Sequence, residues 1–357
     1  MTRTPSRWPF PLLTVVAIGL AASASCRGGC RRGKEADVEA AVKGRLALFP
    51  IAARLVVSVE VARLRDSPAA AKLSTLVSES QADKDTLASF QRRTGLDPVK
   101  QISSITIAFP EEARAGGEFG VVLRGDLFDE TKLVAYARDE LQKSGDDLVA
   151  TKRGRFTLWS SRRDPAVSGF FIDKHTFVLG GGSWGPRMAE LADTARPGDS
   201  AATNLDLVHL VERAAVSHAI WGAALVPEET RRTLAADPQL GEAASIATLT
   251  GGIDLGTGLD AVLKADVATA PGAKSLASKV TESLRDAKRN PQVLMLGIGP
   301  YLDGVSAKSV DRTFELHVTL SENAVDDLVA RVVAMRQLAR SQPIPGFPGG
   351  GSPSPPH

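Results

Sequence analysis

Apolar and polar positions alternate along Leu55-Val56-Val57-Ser58-Val59-Glu60-Val61, the period-two pattern of a half-buried, β-branched strand. Short helices are expected from Pro68 to Glu79 and from Asp83 to Thr94. Alternation returns from Ile102 to Phe109, and Phe119 to Arg124 answers it across a Gly116-Gly117 turn. From Asp129 to Lys143, Leu133, Val134, Tyr136, Ala137 and Leu141 fall along one side of a helix. Two hairpin signals follow, Arg153-Gly154 before Phe156-Thr157-Leu158-Trp159 and Asp173-Lys174 between Phe170-Phe171-Ile172 and Phe177-Val178-Leu179. A helix from Pro186 to Thr194 closes the unit.

The same order then returns. Ala219 to Val226 reads as a strand and Glu228 to Ala236 as a short helix; Ile246 to Leu255 and Leu259 to Val267 form a hairpin across Gly256-Thr257-Gly258. Lys274 to Lys288 is an amphipathic helix, Val305 to Val310 and Thr313 to Leu320 are strands, and Asn323 to Leu338 is a closing helix. From the first hairpin onward the copies are offset by roughly 145 residues, too long a period for a solenoid repeat and suited to a duplicated domain. The helix Asp83 to Thr94 is extra in the first copy, and a helix from Ala201 to Val216 joins the two.

Strands joined by tight turns are antiparallel neighbours, because parallel pairs need long crossovers. The expected fold class is therefore α+β: two tandem similar domains, each a mostly antiparallel sheet with helices packed on one face. The boundaries are a signal peptide at 1–25, a tether at 26–50, domains at 51–200 and 201–340, and a disordered tail at 341–357 rich in Pro and Gly.

The N-terminus adds a destination. Arg3 and Arg7 precede an apolar run from Trp8 to Ala24 that ends in small residues before Cys26, the three parts of a secretory signal. The stretch uninterrupted by proline, from Leu12 to Ala24, is shorter than the roughly 20 apolar residues of a spanning helix. Without Arg3 and Arg7 the chain carries 41 basic and 41 acidic side chains, and aromatics are 5%. Such a chain has neither the field nor the stacking surfaces of a nucleic-acid binder. Both cysteines, Cys26 and Cys30, lie at the start, so the body holds no disulfide and no thiolate site. A Cys-x-x-x-Cys pair with no neighbouring His falls short of the four ligands of a zinc site.

The sharpest candidate for chemistry is Gly181-Gly182-Ser183-Trp184-Gly185, a literal G-x-S-x-G between a strand and a helix. The order Ser, acid, His is available with Asp254 or Asp260 and then His317 downstream. Against a nucleophile elbow stand the antiparallel hairpins, Pro186 in the first turn of the helix, and Ser321 at the matching junction of the second copy; a recurring serine suits a helix cap. The Gly180–Gly185 run lacks the Lys-Ser/Thr of a phosphate loop, so no cofactor is expected. His175, His209, His218 and His317 have no metal-ligand spacing, and the pairs Glu111-Glu112, Asp146-Asp147 and Asp326-Asp327 read as solvated surface.

The block Ser23-Ala24-Ser25-Cys26 resembles a bacterial lipobox, with Ser23 where Leu is usual and the basic residues Arg27, Arg31, Arg32 and Lys34 following. Cleavage after Ala24 by an ordinary signal peptidase is the alternative. In signal region and layout the chain is similar to exported bacterial lipoproteins of unknown function with repeated α+β domains. The resemblance covers no active-site motif and implies a membrane partner through a lipid on Cys26, in the periplasm or at the outer membrane. The expected function is a non-catalytic binding or scaffold protein of the cell envelope, its ligand an envelope protein or a lipid. A serine hydrolase using Ser183 and His317 is the alternative. An apolar groove between helices and sheet would favour lipid.

Lipidation predicts that radiolabelled palmitate enters the wild type and not a Cys26→Ala variant. Label in the variant would contradict the assignment.

Overall fold

A computed structural model describes residues 32–77, 81–111, 117–194, 197–215, 218–236, 241–295 and 297–341. Helix α1 (Arg32–Leu46) leads into β1 (Ala53–Val59), and helices α2 (Pro68–Val77) and α3 (Gln81–Thr94) precede the hairpin β2 (Ile102–Pro110) and β3 (Phe119–Gly125). Helix α4 (Glu130–Lys143) is followed by β4 (Leu148–Arg153), β5 (Phe156–Ser161), β6 (Val167–Asp173), β7 (Thr176–Gly181) and α5 (Trp184–Thr194). The second unit runs α6 (Leu205–Ala215), β8 (Ile220–Leu225), α7 (Glu228–Ala235), β9 (Ile246–Leu255), β10 (Leu259–Val267), α8 (Ala270–Arg289), β11 (Val305–Val310), β12 (Thr313–Leu320) and α9 (Glu322–Ser341). The signal segment, Cys26 and nearly all of the C-terminal tail lie outside the described residues.

The strands form one antiparallel sheet of twelve, in the order β11-β12-β10-β9-β8-β1-β2-β3-β7-β6-β5-β4. The winding β1-β2-β3-β7-β6 is repeated as β8-β9-β10-β12-β11, with β4 and β5 added at the outer edge of the first unit. The expectation of a separate sheet for each unit is corrected here. The first strands of the units pair with each other, Leu55 opposite Ala224 through Val59 opposite Ile220, because each leaves an unsatisfied edge of N–H and C=O groups.

Helices on one face also needs correction. One face carries α1, α5 and α6, with Val42, Leu46, Met188, Leu207 and Val211 packed on Val56, Val122, Phe170, Val178 and Trp221. The other carries α3 and α4 over the first unit, with Phe90 and Tyr136 on Ile105, Val121 and Leu123. It carries α8 over the second, with Ala273 and Ala277 on Ala265, Val267 and Phe314, while α2 and α9 meet at Ala69, Ala70 and Val325. Strand β3 explains the difference: Val121, Val122 and Leu123 are consecutive and all buried, so both sides of the strand need cover. The stretch expected as a tether is in the body from residue 32, since Val42, Leu46 and Phe49 are core.

A polar knot fixes the centre. Glu60, at the end of β1, accepts both arms of the Arg45 guanidinium, and the Trp221 indole donates to it at 3.2 Å. Ser58 and Thr106, both buried, share a hydrogen bond of 2.9 Å beside it. The knot ties α1, β1, β2 and β8 together, and each buried polar group in it has a partner.

Candidate functional site

The face that carries α4 and α8 holds a single row of residues crossing every strand. From one edge to the other it reads Ala150, Trp159, Gly169, Leu179, Val121, Ile107, Val57, Gly222, Gly251, Leu263, Leu316, Ala307. Every member is apolar or glycine. On the opposite face of the second unit the neighbouring rows carry Thr250, Lys264, Glu315 and Lys308, and Asp254 and Asp260. Alternation along each strand thus sorts the sheet of the second unit into a charged side and an apolar side.

In the first unit the apolar row is roofed. Phe90, Leu96, Phe128, Leu133, Val134 and Tyr136 stand above Leu123, Phe171, Phe177 and Leu179, enclosing a narrow slot of about 50 Å³. The roof is held by contacts between its own two helices. Phe90 meets Tyr136 edge-on at 5.1 Å, and Arg93 lies 4.6 Å from the Tyr136 ring while pairing with Asp139 and Glu140 at 2.6 Å each. Burial pushes the Tyr136 phenol up. For Glu140 burial acts upward as well, but hydrogen bonds from Lys143 and Arg93 outweigh it and the carboxyl lies below its usual range.

In the second unit the same row is largely uncovered. Between α8 on one side and α2 with α9 on the other lies a trough of about 280 Å³, floored by Val57, Gly222, Gly251, Ile253, Leu263 and Leu316. Leu263 is 40% exposed although it lies within the sheet. Glycines at 222 and 251 remove two side chains from the floor and deepen it. A Cβ at Gly222 would meet only Val56 O and Val57 Cγ2, each at 3.6 Å, so the floor there has room for a side chain.

The serine motif does something else. Ser183 lies at the start of α5, and its hydroxyl donates to Glu118, which also accepts the Trp184 indole at 3.1 Å. The left-handed conformation falls on Gly182, at φ 59°, and not on the serine, where a nucleophile elbow concentrates its strain. A Cβ on Gly180 would strike the backbone of Gly185, and one on Gly185 would strike Ser168 Oγ, so these glycines let α5 press onto β7 and β6. Ser321 does act as expected of a cap, receiving Ala324 N at 3.3 Å; Ser183 occupies the matching position but spends its hydroxyl on Glu118.

His317 lies on β12, seven strand spacings from β7 and hence on the order of 30 Å from Ser183. Asp254 accepts from His218 Nδ1 at 2.9 Å and from Ala219 N at 2.8 Å, and Asp260 lies across from it on β10. The structure therefore does not bring Ser183, His317 and either acid together. Among the described residues no group of three or more His, Cys, Asp or Glu is placed to hold a metal, and no helix is long and apolar enough to cross a membrane. Sequence reading missed both the row and the trough. The signal was present in Gly222, Gly251-Gly252 and Leu263, but which strands adjoin had to be known before they formed a surface.

No protein-family model matches the chain, and no curated protein matches it. Among solved structures, crystal forms III, I and IV of the Treponema protein TP0453 are similar at 13%, 11% and 14% identity. They cover 80%, 81% and 80% of this chain and 97%, 96% and 96% of that one, with TM-scores of 0.43, 0.41 and 0.42. At such scores the description of the fold rests on this chain's own strands.

The charged side of the second unit sets a pH dependence. Burial acts to raise the carboxyl of Glu315, but Lys308 at 3.0 Å and Lys264 at 3.2 Å, with His317 beside them, hold it down from 4.5 to about 2. A carboxyl lowered on folding stabilises the fold above its unfolded pKa, and that contribution is lost as pH falls from 4.5 toward about 2. Urea unfolding of Glu315→Gln should show a deficit on the order of 2 kcal/mol at neutral pH that closes across this window. A deficit independent of pH would contradict it.

Proposed function

We propose that the protein is a non-catalytic binding protein of the cell envelope, exported and held to a membrane by a lipid on Cys26, whose apolar sheet face takes a hydrocarbon chain. The observation that carries the reading is the twelve-residue apolar row, left open as a trough in one unit and roofed as a slot in the other. An apolar floor with polar groups only at its margins recognises a chain by burial, at about 25 cal/mol per Å² removed from water, and does not discriminate headgroups. Soluble proteins seldom leave a contiguous apolar surface of this kind uncovered without using it.

The roof supports the same reading. A closed slot of this width admits a chain only as α3 and α4 move from the sheet. The ion pairs of Arg93 join those two helices to each other and not to the strands beneath, so the pair can lift as a unit. The hydrolase alternative has no supporting geometry, since the Ser183 hydroxyl is committed to Glu118 and His317 lies across the sheet.

Titration of delipidated protein with a dansyl-labelled fatty acid should give saturable fluorescence enhancement. Gly222→Phe, which fills the trough from a position with room for a Cβ, should weaken binding by about tenfold or more while leaving the circular dichroism unchanged. No saturable binding by the wild type, or equal binding by the variant, would overturn the proposal.

A further inference from the structure

The two units end differently, and the difference leaves a vacant strand position. In the first unit the outer edge of β6 is taken by β5, Trp159 opposite Gly169 and Ser160 opposite Ser168, with β4 beyond. Trp159 and Leu148 of that added hairpin lie under α4 against Val134, Ala137 and Leu141. The winding order makes β11 the counterpart of β6 and α8 the counterpart of α4, and Ala307 the counterpart of Gly169 in the apolar row. Among the described residues nothing pairs with the outer edge of β11. Helix α8 nevertheless stays over it, Ala277 lying in the cluster that Ala307 packs against. Between helix and edge is an open cleft of about 310 Å³, lined by Lys274, Ser278, Thr281, Glu282, Arg285 and the β11 backbone.

We propose that the outer edge of β11 accepts an extended, acidic segment of another polypeptide, added to the sheet beneath α8 where the first unit carries its own hairpin. Main-chain hydrogen bonds along the edge supply the attraction, and alternate side chains of the added strand face α8. The residue opposite Ala307 takes the place that Trp159 has under α4. Charge selects the partner. Lys274 and Arg285 have no ion-pair partner among the described residues, whereas Lys308 is already held by Glu315; Glu282 is the one acid in the lining. A second copy of this chain fits poorly. Antiparallel self-pairing centred on Lys308 sets two lysines opposite each other, and any antiparallel two-fold pairing of β11 brings both copies of α8 to the same side of one shared edge. A six-residue edge is also short, so the contact belongs to the weak and reversible class.

The test uses the full-length protein and two synthetic peptides, TETWTET and TKTWTKT, whose charged residues share the tryptophan's face and so meet α8. The acidic peptide should bind with a dissociation constant on the order of tens of micromolar and slow hydrogen exchange of the β11 amides. The basic peptide should bind about tenfold more weakly, and so should the acidic one to a Lys274→Glu/Arg285→Glu double variant, both exposed positions whose replacement leaves the core untouched. Ala307→Pro should abolish binding by obstructing the edge. The proposal fails if the acidic peptide does not bind, if it binds the charge-reversed protein equally, if β11 exchange is unaffected, or if sedimentation shows the edge occupied in a dimer.

Discussion

The pairing of β1 with β8 is the contact on which the remainder of the molecule depends. Each strand is the inner end of a five-strand winding, and unpaired each would present a bare, largely apolar edge. Their five-residue register aligns Val57 with Gly222 and so brings the apolar row of one unit into line with that of the other. A slip of a single residue would turn every side chain of one unit to the opposite face and place Lys264 and Glu315 where Leu263 and Leu316 now stand. The Glu60 knot guards that register. It joins the end of β1 to Trp221 of β8 and to Arg45 of α1 through partly buried groups whose partners a slipped alignment would separate.

On this shared sheet the units have diverged in cover more than in plan. The first adds α3 and the β4–β5 hairpin, and with them gains a roof over its apolar face and a finished edge. The second has neither, so its floor is open between α8 and α9 and its last strand is bare. Both proposed binding surfaces therefore have one origin: each is a place where the second unit lacks something that the first supplies to itself. The glycines at 222 and 251 belong to the same logic, since side chains there would begin to fill the floor.

Much of the plan could be read from the sequence because it is local. Alternation in Ile102 to Phe109 and in Thr313 to Leu320, and the one-sided apolar stripe of Asp129 to Lys143, locate strands and helices to within a few residues. The recurrence of that order revealed two units. What could not be read was long-range. Each half looks complete in itself, and nothing in Leu55 to Val59 or Ile220 to Leu225 marks a strand as a partner for the other unit and not for a neighbour in its own. Strand β4 ends in exposed Lys152 and Arg153 and lacks a clear alternating pattern, while α1 contributes only a few apolar side chains, among them Val42 and Leu46, to a core that its sequence does not announce. The G-x-S-x-G motif misleads for a related reason. Its glycines answer to close packing of α5 on β6 and β7, a demand visible only once those elements are in place.

The claim that most of this rests on is that the two units share one sheet and one folding transition. Differential scanning calorimetry of the full-length protein, compared with fragments spanning residues 32–204 and 205–341, tests it most directly. The account predicts a single transition whose calorimetric and van't Hoff enthalpies agree, and no cooperative melting of either fragment alone. Two resolved transitions, or a fragment that melts cooperatively at the temperature of the whole, would show two independent domains and contradict it.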